Sequence, residues 1–228
     1  MSKDRFYTTR LQEEHLDQAA DVLTRSFLEL NSIWKNNLPS YEHIMPIMRG
    51  KILPTLAPNA VGGCSYVLMK GRDVVGVSLQ YEMLEFMKMP SMPSNIELFS
   101  KLGEAGKRLE SSIDLTEVKR GEAIYGLYGV IDPNYAKMGL SLDFWWFCFA
   151  AGKANWKYYY SRISSPISLK MLQKLGAEVV AETDLELDDG QTEKLWMVRL
   201  PMGNTAPLSA LRALSKRPKT EPAETARL

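Results

Sequence analysis

Histidine is scarce in this 228-residue chain, which holds only His15 and His43. Neither stands in a His-Glu-x-x-His motif, and no Cys-x-x-Cys spacing occurs, which argues against zinc catalysis. A Ser-His-Asp triad would have to draw on one of these two residues, and a lone histidine on a helix face such as His15 reads as a surface residue. Cysteine is equally rare. Cys64 and Cys148 make neither a disulfide framework nor a metal site. Cys148 lies in an aromatic run and reads as a small buried hydrophobe. Cys64 follows Gly62 and Gly63 and reads as more exposed. Charge excess is missing too, with 28 basic against 27 acidic side chains and a net charge of +1. A nucleic-acid partner is therefore not expected, because neutralising many phosphates takes a basic excess. Long hydrophobic runs are absent. The most apolar stretch, Phe144 to Ala151, is far shorter than the roughly 20 residues of a membrane span. The first residues, MSKDRFYTTRL, lack an apolar signal core. These absences lead to the expectation of a soluble, cytoplasmic protein with no membrane partner.

What is present is enough apolar content, 45%, for one domain. Arg5 to Thr9 reads as a first strand. Leu16, Ala19, Ala20, Leu23 and Phe27 then recur at helical spacing, giving an amphipathic helix that ends near Leu30. A second helix is expected over Tyr41 to Leu53, interrupted by Pro46 and Pro54. Ser65 to Met69 and Val74 to Tyr81 read as a hairpin around the turn KGRD. Met83 to Pro93, with four methionines and two prolines, reads as an irregular loop. It is either a malleable apolar lining for a pocket or simple loop packing. Asn95 to Glu110 has helical spacing weakened by Gly103 and Gly106. Glu122 to Ile131 is apolar on both faces, as a central strand should be. Leu140 to Asn155 reads as a buried aromatic helix, with Trp145, Trp146, Phe147 and Phe149 as core, and Trp156 to Ile163 as a strand. Pro166 to Leu175 is a helix stopped by Gly176. Ala177 to Thr183 and Lys194 to Leu200 are two last strands joined by DDGQT. The strand–helix–strand centre makes its two strands parallel neighbours, and the hairpins make the sheet mixed. The domain is expected to span residues 1–202. Residues 203–228 read as a disordered tail, with one short helix around Pro207 to Leu214.

The stretch VIDPNYAKMGLSLDFWWF, from Val130 to Phe147, joins the central strand to the aromatic helix. A loop feeding a helix exposes backbone N–H groups without intrahelical partners, and the helix dipole adds positive charge. This arrangement binds phosphate without basic side chains. Gly139 permits close approach of a ligand to the backbone, and Lys137 adds charge. The plainer reading is that Gly139 closes a tight turn.

The element order and this loop resemble the GNAT superfamily of acetyl-CoA-dependent N-acetyltransferases. Ile131-Asp132-Pro133 matches that family's V-x-P-like strand ending. Ala136-Lys137-Met138-Gly139-Leu140-Ser141 falls on its Q/R-x-x-G-x-G/A motif. The later segment SSPISLKMLQKLGAEVV is similar to the family's helix ending in K-x-G-F, with Lys174 and Gly176 matching and Ala177 replacing the aromatic. The resemblance runs from about Arg5 to Pro201. Ala136 departs from the usual Arg or Gln, and Ser141 from the usual Gly or Ala. The resemblance implies a mixed α/β, mostly antiparallel sheet flanked by helices. It implies acetyl-CoA as cosubstrate. The backbone of Lys137, Met138, Gly139, Leu140 and Ser141 would hold the pyrophosphate, and main-chain groups near Gly129 and Ile131 the pantetheine arm.

The implied reaction is acetyl transfer to a primary amine, with a small molecule as acceptor, in a monomer or homodimer. Alternatives are a catalytically inactive acyl-CoA-binding or interaction module and a protein or peptide acetyltransferase. The tyrosine acid that many relatives carry in the later helix is replaced by Leu172. Ser165 or Ser168 could assist instead, Ser165 being also a natural N-cap. Arylalkylamine-type relatives carry a glutamate base near the end of the first helix, which points to Glu29. Glu82 and Glu122 are further candidates, and each of the three also reads as a solvated acid. Tyr125 and Tyr128, three residues apart on one strand, are expected on opposite faces. Either one faces the acceptor or both are core.

Overall fold

The computed structural model describes residues 5–30, 33, 40–56, 65–89, 97–116, 118–151, 156–187 and 189–202, without the side chains of residues 146, 150 and 151. Cys64, the end of the Met-rich stretch, the last residues of the aromatic helix and the tail lie outside them. Among the described residues the chain order is β1 (Phe6–Arg10), α1 (Leu16–Leu30), α2 (Tyr41–Leu56), β2 (Tyr66–Lys70), β3 (Asp73–Glu82), α3 (Met83–Met87), α4 (Glu97–Ser111), β4 (Ala123–Ile131), α5 (Leu140–Ala151), β5 (Tyr158–Ile163), α6 (Pro166–Lys174), β6 (Glu178–Glu186) and β7 (Thr192–Pro201).

The strands form one sheet in the order β1-β2-β3-β4-β5-β7-β6. Only β4 and β5 pair in parallel; the other pairings are antiparallel. A parallel pair needs a crossover, and the aromatic helix α5 supplies it. One face of the sheet packs against α1 to α4. That cluster holds Leu23, Phe27, Ile44, Met48, Leu102, Leu109, Tyr125 and Tyr160. The other face packs against α5 and α6 through Phe149, Leu172, Ile124 and Ile163, with Phe144 and Cys148 against Val75 and Ile131. The sheet is therefore covered on both sides, which is why β4 reads as apolar on both faces.

Local signals explain the helix ends. Gly176 takes φ +93°, the left-handed conformation that ends α6. Both histidines serve near helix starts. His15 is buried rather than on the surface, and its Nδ1 accepts the Gln12 N–H at 3.0 Å. His43 Nδ1 lies 2.9 Å from Ser40 Oγ.

Further expectations are corrected. The second helix is not interrupted: Pro46 and Pro54 both lie inside α2. Met83–Met87 forms the short helix α3 rather than irregular chain, because the Glu82 carboxylate caps it by accepting the Glu85 N–H at 2.8 Å. Tyr125 and Tyr128 share a face. Tyr125 stacks on Phe86 at 4.0 Å between ring centroids, and Tyr128 meets Phe27 edge-on at 4.9 Å. The cause is a β-bulge: Leu79 pairs with Tyr128 but Gln80 pairs with Gly126, so Leu127 is extra and the alternation resets.

Candidate active site

The bulge bends β4 just where its contact with β5 ends. The parallel pairing runs from Ala123–Tyr158 to Gly126–Ser161 and stops. At that point Ser161 Oγ donates to the Gly126 carbonyl at 2.8 Å, so a side chain occupies the last acceptor. Beyond it the strands splay. A cleft of about 600 Å³ opens between Leu127–Ile131 on β4 and Arg162–Ser165 on the β5 side. Such a volume suits a small-molecule or cofactor site. On the β3 side β4 stays paired through Ile131, so its unpaired backbone edge faces the cleft. Unpaired N–H and C=O groups there are available to an extended, amide-rich ligand.

The floor of the cleft reaches the start of α5 through Ala136, Ser141 and Trp145. The chain does not pass from strand to helix directly. Pro133–Met138 forms a 3-10 turn, and Gly139 follows with φ +69°. A residue with a side chain is strained at that φ, so glycine is what lets the chain reverse into α5 here. Gly129 makes room in a different way: a Cβ added there would lie 3.2 Å from Trp145 Nε1, close enough to press on the indole and narrow the cleft. The open β4 edge and the glycine-containing turn before α5 thus present backbone groups to an extended ligand, with Gly129, Ile131, Ala136 and Ser141 on the lining and Lys137 to Leu140 beside it.

The turn is anchored to α1. Asp132 is 4% exposed; it accepts the Asn134 N–H at 2.9 Å and the Arg25 guanidinium at 2.7 Å. Arg25 also binds Asp21 at 2.7 Å, and Tyr41 donates to Asp21 at 2.6 Å. Burial pushes Asp21 up, but the Arg25 and Tyr41 hydrogen bonds outweigh it and hold the carboxyl below its usual range. Ser26 Oγ donates to the Ile131 carbonyl at 3.1 Å. Thus one lone pair of Ile131 is already engaged. Sequence reading missed Arg25 and Ser26; their polar side chains at i and i+1 near the end of an otherwise apolar stripe were the only signal.

The candidate acids and bases fall in different places. Ser165 borders the cleft and caps α6, accepting the Ser168 N–H at 3.4 Å. Ser168 borders it as well. Leu172 is fully buried. Glu29 is exposed at the end of α1, next to the cleft-lining Leu30. Glu82 is 2% exposed, and its oxygens accept the Glu85 and Gly121 N–H groups at 2.8 and 3.0 Å. Glu122 pairs with Lys157 at 2.7 Å. Lys137 and Met138 lie exposed on the 3-10 turn. Of the two central tyrosines, Tyr128 borders the cleft and Tyr125 is core. Burial, opposed by the Arg162 charge, raises the Tyr128 hydroxyl. Among the described residues no group of acidic, histidine or cysteine side chains could hold a metal ion. No described helix is long and apolar enough to cross a membrane.

No protein-family model matches this chain, and no curated protein matches it in sequence. Solved structures do match in shape. The C-terminal condensation domain of Ebony, solved with β-alanyl-dopamine, superposes at TM-score 0.69 and 10% identity, covering 86% of this chain and 99% of that one. Arylalkylamine N-acetyltransferase 2 from Aedes aegypti gives 0.67 and 15% identity over 87% and 100%. The Drosophila melanogaster polyamine N-acetyltransferase gives 0.56 and 12% over 86% and 100%. The splayed parallel pair, the bulged central strand and these superpositions together give the chain the fold of the GNAT N-acetyltransferases.

Proposed function

We propose that this protein transfers an acetyl group from acetyl-CoA to a small primary amine, by direct attack in a ternary complex. The observation that carries the reading is the unpaired β4 edge opening onto the start of α5. Its strongest support beyond that is the likeness to several N-acetyltransferases over nearly their whole length. Acetyl-CoA, when bound, supplies the thioester carbonyl as electrophile. The chain's part is to hold and shelter it. The 137–141 backbone binds phosphate, the β4 edge aligns the arm, and Trp145 and Tyr159 wall off water.

The amine attacks as a free base, so a proton must leave it first. Glu29, beside Leu30 at the rim, is proposed to accept that proton through water. Glu82 is a weaker proposal, since its oxygens already serve two backbone amides. Ser165 is proposed to donate a hydrogen bond to the departing sulfur. Tyr128, whose hydroxyl burial keeps protonated, borders the same cleft and supports that role.

A binding-only reading is favoured by one observation: no carboxylate lines the cleft among the described residues. The two readings separate in one experiment. The melting temperature is measured with and without acetyl-CoA, and thiol release is followed over a panel of amines. A thermal shift lost in Gly139→Trp, together with thiol release, supports the transferase. A shift with no thiol release from any amine supports the binding module. No shift at saturating ligand rejects both.

A further inference from the structure

The same cleft carries information about its acceptor. Among its described lining residues Arg162 is the sole charged side chain. Its place on β5 puts it on the α1–α4 face. Tyr160, two residues earlier, belongs to that face's core, and Arg162 Nη1 donates to the Leu102 carbonyl of α4 at 3.1 Å. The α5 start, which would take the cofactor phosphates, lies across the sheet. Arg162 is therefore on the side left open to the acceptor.

The guanidinium is placed rather than loose. It lies against Gly106 in mid-α4, where an added Cβ would collide with Nη1. Glycine weakens a helix relative to alanine, and here it makes room for this head group. Arg162 makes no ion pair within 4.0 Å among the described residues. Charges that interact with it include Glu110 on α4 and Lys51 on α2. Glu110 accepts the Tyr125 hydroxyl at 3.3 Å. Burial pushes the Glu110 carboxyl up against the pull of Arg162. Burial and the Arg162 charge push Lys51 down. Of these groups only Glu110 can carry negative charge, and burial disfavours that charge.

We propose that Arg162 recognises a carboxylate on the acceptor, so that the acceptor is a primary amine bearing an acidic group and not a polyamine. This rests on the acetyl-transfer reading. A guanidinium presents a planar fork that matches a carboxylate. A second ammonium in the same cleft would find no described carboxylate on the lining and would meet a like charge.

The test uses the full chain with acetyl-CoA and acceptors matched except for a carboxylate: β-alanine and propylamine, γ-aminobutyrate and butylamine, tyrosine and tyramine, with spermidine as the polyamine. The acidic member of at least one pair is expected to lead by roughly 10- to 100-fold in kcat/KM, the loss expected for a hydrogen bond to a charged group. Arg162→Met brings that ratio near one while acetyl-CoA still raises the melting temperature. Gly106→Ala, which keeps the charge but displaces it, lowers the ratio as well. A wild-type preference for spermidine or for the decarboxylated amines overturns the proposal and leaves acetyl transfer standing. So does a ratio unchanged in Arg162→Met. Thiol release from no acceptor overturns acetyl transfer itself, and this proposal with it.

Discussion

Ser165 does two jobs on the proposed reading, and the two have different magnitudes. As a cap its 3.4 Å contact to the Ser168 amide is long. Ser165→Ala is therefore expected to cost about 0.5 kcal/mol of stability, the low end for an N-cap. As a hydrogen-bond donor to the departing sulfur, its loss should lower kcat by about 10²-fold. Chemical denaturation and turnover measured on the same variant separate the two, and unchanged turnover leaves the cap alone. Tyr41 offers a test by pH. Burial, then its hydrogen bond to Asp21, pushes its hydroxyl up to about 12. A folded-state value above the unfolded one means stability that is complete below about pH 10 and lost as pH rises toward 12. Tyr159, raised to about 12 by burial, adds to the same alkaline loss. Urea unfolding from pH 9 to 12 should show a shallower decline in Tyr41→Phe than in wild type.

At the scale of elements, β4 and the turn after it decide the site. Gly129→Val is expected to leave the strand intact, because valine suits a strand. Its branches fill the space before Trp145, 3.2 Å beyond the new Cβ. The acetyl-CoA thermal shift should vanish while the circular dichroism spectrum is retained. Asp132→Ala removes the cap of the 3-10 turn and one partner of Arg25. The expected cost is about 3 kcal/mol, the lower end for breaking a buried ion pair, since Arg25 keeps Asp21. Acetyl-CoA affinity should fall with it, as the turn loses its tie to α1; calorimetric titration checks this. The elements themselves were largely legible. Periodicity located α1 and α4, turn residues located the β2–β3 hairpin, and Gly176 marked the end of α6. What periodicity could not see was the bulge at Leu127. An extra residue in one strand leaves no trace in its own pattern; it exists only relative to the register of β3. Hence simple alternation puts the two tyrosines on opposite faces, while the bulge returns them to one. The helix α3 was hidden for a related reason, since its cap comes from a buried glutamate that ends a strand.

For the whole molecule the proposed cofactor gives a direct measurement. A ligand that binds only the folded state, at a hundred times its Kd, adds about 2.7 kcal/mol. In a chain of this length that corresponds to a rise of roughly 5–10 °C in melting temperature. Differential scanning fluorimetry with acetyl-CoA, and with ATP as control, should show it for acetyl-CoA alone. The fold supports this expectation because the cleft belongs to two layers at once. It is bordered by Phe27 and Leu102 from one face and by Trp145 and Tyr159 from the other. Filling it ties both faces of the sheet together.

By itself the sequence determined the order of all the elements but α3, the single parallel pair and the glycine-containing turn before an aromatic helix. These follow from patterns within some fifteen residues, where spacing of apolar side chains and the chemistry of glycine and proline act directly. Tertiary structure alone decided which candidates meet. It brought Ser165 and Tyr128 to one cleft and tied Glu82 into backbone amides. It also laid Arg162 against Gly106, residues 56 positions apart in the chain. The reason is physical. A side chain's neighbours across the sheet depend on where β4 and β5 stop pairing, and that point is set by a bulge and by Ser161, not by any local run of residues.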